Sequence, residues 1–153
     1  MLLATALTTI ALLPGLLTDT VSEVKQQTPL PILVSDNFYS DFDPLYPSGV
    51  GDRRSYSIGV NAAPDCNGAN ACFAADFRAE KGGKPFGRGK VTLIRGRKGR
   101  YQPLSCGASC SPPSISWKER GVTYTIQAKV VGEKSDRQLL TKMANEAIRR
   151  GPR

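Results

Sequence analysis

The chain has 153 residues, of which 40% are hydrophobic and 22% charged, and its formal net charge is +8. That length admits one compact domain with an N-terminal appendage and excludes two ordinary domains, while the composition excludes wholesale disorder. Histidine is absent, which excludes Ser-His-Asp and Cys-His catalysis, His-containing metal sites and His-based acid/base pairs.

Residues 1–18 read as a signal-peptide-like leader. Met1 to Leu17 carry no charge and are rich in Leu, Ala, Ile and Thr, the composition of a secretory apolar core. No basic residue precedes this run, and no A-x-A site follows it near Thr18 to Ser22. A buried N-terminal helix is the competing reading, opposed by Pro14 and Gly15. The run falls short of the ~20 apolar residues of a spanning helix, so export to the periplasm or exterior is expected, without an anchor after processing. Residues 19–35 read as a linker, because Asp19 to Gln27 is polar and prolines surround Ile32 to Val34. Residues 36–150 then form the single folded domain. Its first part, Asn37 to Asp52, mixes aromatic residues with Pro44, Pro47, Gly49 and Gly51 and reads as an irregular packed loop.

From Ser55 a period of two predicts strands. Tyr56, Ile58 and Val60 share one face; Phe73, Ala75, Phe77 and Ala79 share another, and the connection CNGANAC predicts antiparallel pairing between the two runs. GGKPFGRG predicts a turn, Val91 to Ile94 a third strand, GRKG a turn, and Tyr101 to Leu104 a short fourth strand. Beyond Pro113, Ile115 and Trp117 precede KERG, and Val122, Tyr124, Ile126, Ala128 and Val130 alternate. This is a hairpin, with Gly121 suited to a left-handed position in a bulged turn. Ser135 and Gln138 have capping-box spacing. Leu139, Met143 and Ala147, with Leu140, Ala144 and Ile148, form the apolar stripe of a helix ending at Arg149 and Arg150. The expected fold is α+β: an antiparallel meander of about four to six strands with one C-terminal amphipathic helix on one face. Trp117, Tyr124 and Ile126 are expected in the core beneath that helix.

The cysteines form two local pairs, Cys66 with Cys72 and Cys106 with Cys110. Three pairings are possible, and short Gly-containing loops close the two local bridges most easily. A four-cysteine zinc site is the alternative, although spacings of five and three intervening residues depart from C-x2-C. The motifs CNGANAC, SCGASCSPP (Ser105 to Pro113), W-x-x-x-G-V-x-Y-x-I (Trp117 to Ile126) and KMANEAI (Lys142 to Ile148) together resemble a group of small exported bacterial proteins, mainly cyanobacterial. The resemblance covers about two thirds of the chain. It implies class and compartment, and neither an activity nor a catalytic residue.

Between Lys81 and Arg100 stand eight Lys or Arg residues and no acid. Among them Lys90, Arg95, Arg97, Lys98 and Arg100 are the candidate anion-binding set, for an anionic envelope component or another polyanion. The competing reading is a solvated pair of turns protecting a strand edge, since only Phe86 and Tyr101 interleave. Asp36, Asp41, Asp43 and Asp52 lack EF-hand spacing and are expected to pair with the basic turns or to be solvated. No cofactor motif and no sequence-specific nucleic-acid motif is present. A non-enzymatic binding domain is therefore the expected function, and a small carboxylate-dependent hydrolase of envelope polysaccharide is the alternative.

Overall fold

Period-two alternation dominates the computed structural model, which describes residues 15–153. Seven strands form one antiparallel sheet: β1 (Tyr46–Gly51), β2 (Ser55–Asn61), β3 (Phe73–Lys81), β4 (Gly89–Thr92), β5 (Lys98–Gln102), β8 (Ser114–Glu119) and β9 (Val122–Ala128). Two short strands, β6 (Ser105–Cys106) and β7 (Cys110–Ser111), pair separately. Helices α1 (Thr18–Lys25) and α2 (Asp136–Arg150) and a 3-10 turn (Ile94–Gly96) complete the elements of the described residues. No helix among the described residues is long and apolar enough to cross a membrane.

The α+β class and the C-terminal helix are as expected, and the strand order adds a crossover. It is β1-β2-β3-β9-β8-β5-β4, two meanders joined where β9 returns to β3. The connection from β3 to β4, residues 82–88, therefore passes over the sheet. The KERG turn holds two residues, Arg120 and Gly121, both with positive φ, between the paired Glu119 and Val122. This is the two-residue form whose twist suits a hairpin, in place of the bulged turn expected from Gly121.

Because side chains alternate across a sheet, register rows collect the core. One row reads Gly49, Ile58, Phe77, Ile126, Ile115, Tyr101, Gly89 across the seven strands. The next reads Gly51, Tyr56, Ala79, Tyr124, Trp117, Gly99, Val91. Helix α2 lays Leu140, Met143, Ala144, Ala147 and Ile148 on this face. Its N-terminus carries the expected capping box: the Gln138 amide donates to Ser135 Oγ at 3.3 Å, and the Ser135 amide donates to Gln138 Oε1 at 3.1 Å.

The two stretches expected as linker and irregular loop are both parts of this layer. Residues 19–35 are not a linker: α1 buries Thr20, Val21 and Val24, and Ile32, Leu33 and Val34 are buried in turn. β1 falls within the expected loop. Its Gly49 faces α1 so closely that an added Cβ would lie 2.6 Å from Val24 Cγ2, so the helix can rest there only on glycine.

Two buried phenols hold the extended segment before β1. The Leu33 amide donates to Tyr56 Oη at 2.9 Å, and the Tyr124 hydroxyl donates to the Pro31 carbonyl at 3.0 Å. Burial pushes the Tyr56 phenol above its ordinary value and the Tyr124 phenol up to about 12. Between pH 10 and that raised range the native state keeps protons that the unfolded chain releases, so stability present below pH 10 falls as pH rises. The slope should reach about 1.4 kcal/mol per pH unit for Tyr56 and be smaller for Tyr124, whose phenol is raised less. Urea unfolding at pH 9, 10 and 11 checks this, and Tyr56→Phe should flatten the decline.

The C-terminus is tied to the same segment. Asp36, 5% exposed, pairs with Arg150 and, at 2.8 Å, with Arg153. Ser35 Oγ donates to Glu146, and the Arg153 amide donates to the Ile32 carbonyl at 3.0 Å. Asp36 thus serves the chain end, not the basic turns. Asp52 instead accepts from the Arg54 and Ser55 amides at 2.7 and 2.8 Å, and these bonds hold its carboxyl below the usual range.

Candidate ligand-binding face

With both helices on one side, the opposite face of the sheet is open. Its central row reads Val50, Ser57, Arg78, Thr125, Ser116, Arg100, Lys90 across the seven strands. Towards one end follow Asp76, Gln127, Ser114 and Gln102, and towards the other Ser55, Glu80, Thr123 and Lys118. Hydroxyls, amides and charges thus occupy the half of each alternation that the core does not use.

The crossover turns this face into a groove. Residues 82–88 run over β9, β8 and β5 as a strap fixed at each strand. Thr123 Oγ1 donates to the Gly82 carbonyl at 2.7 Å, and Lys118 Nζ donates to the Gly83 carbonyl at 3.1 Å. Over β8, Ser116 Oγ accepts from the Phe86 amide at 2.7 Å and donates to the Phe86 carbonyl at 2.9 Å. Over β5, a Cβ on Gly87 would lie 2.6 Å from the Tyr101 carbonyl carbon and oxygen, so only glycine permits the close crossing. A cavity of about 910 Å³ lies against the strap, with Ser57, Arg78, Thr125 and Gln127 on its floor and Lys84 and Phe86 on its wall. A second, of about 510 Å³, is lined by Phe86, Arg88, Arg100 and Gln102. Phe86 and Gln102 border both.

The candidate cations are divided by the sheet. Lys90, Lys98 and Arg100 belong to the open face, whereas Arg97 pairs with Glu119 and Arg95 donates to the Ile148 carbonyl at 3.4 Å, near the end of α2. Neighbours Arg97 and Lys98 diverge because successive side chains in extended backbone point to opposite sides. Lys84 and Arg88, from the strap, join Lys90, Lys98 and Arg100 instead. None of these five cations forms an ion pair among the described residues. The polar half of each alternation is the available signal for Ser57, Arg78, Thr125 and Gln127. The strap has no such signal, because GGKPFGRG reads as a simple turn.

One carboxylate beside the groove is already engaged. Asp76 Oδ1 accepts from Ser57 Oγ at 2.8 Å, and Oδ2 faces Arg78 Nε at 2.9 Å. Burial pushes its carboxyl above the usual range, against the lowering effects of Ser57 and Arg78. With both oxygens occupied, Asp76 positions Arg78 on the groove floor.

The cysteines form the two local bridges, Cys66–Cys72 with Cα atoms 5.8 Å apart and Cys106–Cys110 with Cα atoms 4.0 Å apart. Each sulfur is thereby committed, and the four-cysteine zinc reading is overturned. The first bridge closes the β2–β3 connection and the second the β6–β7 hairpin. Asn70 Nδ2 donates to the Cys110 carbonyl at 3.0 Å, joining the two loops at the same end of the sheet.

The site and fold define a disulfide-containing α+β domain with helices on one sheet face and a strapped, polar, basic-edged groove on the other. Compared with family models, curated proteins and solved structures, the chain matches none.

Proposed function

We propose that the protein is an extracytoplasmic, non-catalytic binding domain that holds an anionic polymer across the open face of its sheet. The observation that carries this is the set Lys84, Arg88, Lys90, Lys98 and Arg100, gathered on one face from the strap, β4 and β5 without an ion-pair partner among the described residues. Unpaired cations beside a long groove attract polyanions by releasing condensed counterions. The two disulfides support an oxidising compartment. Asp76, both of whose oxygens are engaged by Ser57 and Arg78, supplies no free carboxylate for hydrolysis.

Retention on immobilised heparin as a function of salt tests the proposal. Lys84→Gln, Arg88→Gln, Lys90→Gln and Arg100→Gln combined should reduce the slope of log affinity against log salt by about three to four, close to one per lost contact. Arg95→Gln, across the sheet, should leave it nearly unchanged. Absence of retention of the unaltered protein at low salt, or equal losses in both variants, would refute the assignment.

A further inference from the structure

We infer that the groove is a subsite for an acidic saccharide, with Phe86 as the platform on which a sugar ring stacks. The inference rests on the proposed polyanion-binding face and specifies its ligand class. Phe86 is 65% exposed, so its ring contributes little to the core. Its backbone is nevertheless among the most firmly held in the strap: amide and carbonyl both bond to Ser116 Oγ, itself buried, and Gly87 beside it rests on the β5 backbone. An aromatic ring is thus presented to solvent from a fixed backbone, between two cavities that it borders on either side. Preorganisation of this kind removes part of the ordering cost that binding otherwise incurs.

The surroundings select the ligand. On one side of the ring lie Thr125, whose hydroxyl can donate and accept, and Ser57 and Gln127, whose hydrogens go to Asp76 and to Ser111 and Pro112 but whose oxygens can still accept; with the Asp52 and Glu80 carboxylates beside them they match sugar hydroxyls. On the other lie Arg88 and Arg100, whose planar guanidinium groups match carboxylate or sulfate oxygens in bidentate fashion. The larger cavity touches β1, β2, β3, β9, β8 and β5, five strand spacings or roughly 24 Å, which suits an extended chain. Single-stranded nucleic acid is disfavoured because successive bases require successive aromatic platforms, and Phe86 is the one ring side chain standing between the two cavities.

The test uses the full chain and three probes, a heparin oligosaccharide, linear polyphosphate and oligo(dT), with thermal unfolding as a control on folding. Phe86→Ala should weaken heparin binding about three- to tenfold and change polyphosphate binding less than about twofold. Phe86→Trp should retain the heparin affinity. An equal Phe86→Ala loss on heparin and polyphosphate, or no loss on heparin, would overturn the saccharide subsite while leaving the polyanion face intact. Tighter oligo(dT) binding with the same dependence on Phe86 would replace the saccharide with a nucleobase. If the unaltered protein binds none of the three, the proposed function fails first and takes this inference with it.

Discussion

A chain begun at Glu23 should be less stable than one begun at Gly15 by about 3–6 kcal/mol, because it lacks two side chains of the core. Leu17 is fully buried and Val21 is 5% exposed, and burying each is worth roughly 1.5–3 kcal/mol. The shorter chain also removes Thr18 to Ser22, five of the eight residues of α1, among them Thr20, which packs against the face of β1 at Gly49. Urea unfolding of the two chains measures the difference, and equal midpoints would show that α1 contributes nothing. The result bears on export. A leader ending at residue 18, or cut between Thr18 and Ser22, would remove Leu17 and sever α1, whereas a cut ahead of Gly15 would leave Leu17 and α1 in place. The expected leader otherwise lies outside the described residues. Intact mass of the mature protein, with and without reduction, would locate the cut and count both disulfides together.

Trp117→Ala should cost about 3–5 kcal/mol. Trp117 is fully buried, stacks on Tyr124 with ring centroids 5.6 Å apart, and faces Gly99 on the neighbouring strand. Gly99 has no side chain and cannot readily take one: a Cβ there would lie 2.9 Å from Val91 Cγ2 and 3.0 Å from the Ser116 carbonyl oxygen. Alanine at 117 therefore leaves a cavity that no neighbour on β5 can fill. Trp117→Phe should cost far less, since it keeps most of the aromatic volume and removes an indole N–H that has no hydrogen-bond partner among the described residues. Equal costs for the two substitutions in denaturant unfolding would refute this account. The site also links core and groove, since Ser116, which bonds the strap, is the residue before Trp117 on β8.

Much of this framework is legible in the residues alone. Alternation between Ser55 and Ala128 locates most of the sheet, because one face must be apolar wherever it meets helices. Ser135 and Gln138 locate the start of α2, because capping acts within four residues. The cysteine pairs are legible for the same reason, each bridge closing a short local loop. β1 is not legible, because the glycines that let α1 approach also read as strand breakers. α1 is hidden because Thr18–Lys25 contributes only Val21 and Val24 as apolar side chains to the core. The candidate site is half legible. Its charge is plain in the sequence, but Arg95 and Arg97 turn to the helix side while Lys84 and Arg88 join the open face.

The sequence by itself thus determined the α+β class, a preference for the two local bridges, the terminal helix and an excess of cations between Lys81 and Arg100, all consequences of local spacing and composition. Only the tertiary structure decided where those cations stand, because β3 pairs with β9 and so sends residues 82–88 across the sheet. That crossing converts a glycine-rich turn into a strap, holds Phe86 in the open and encloses the groove. Such a choice depends on non-local strand pairing, in which residues more than forty positions apart meet, and no local pattern in the chain encodes it.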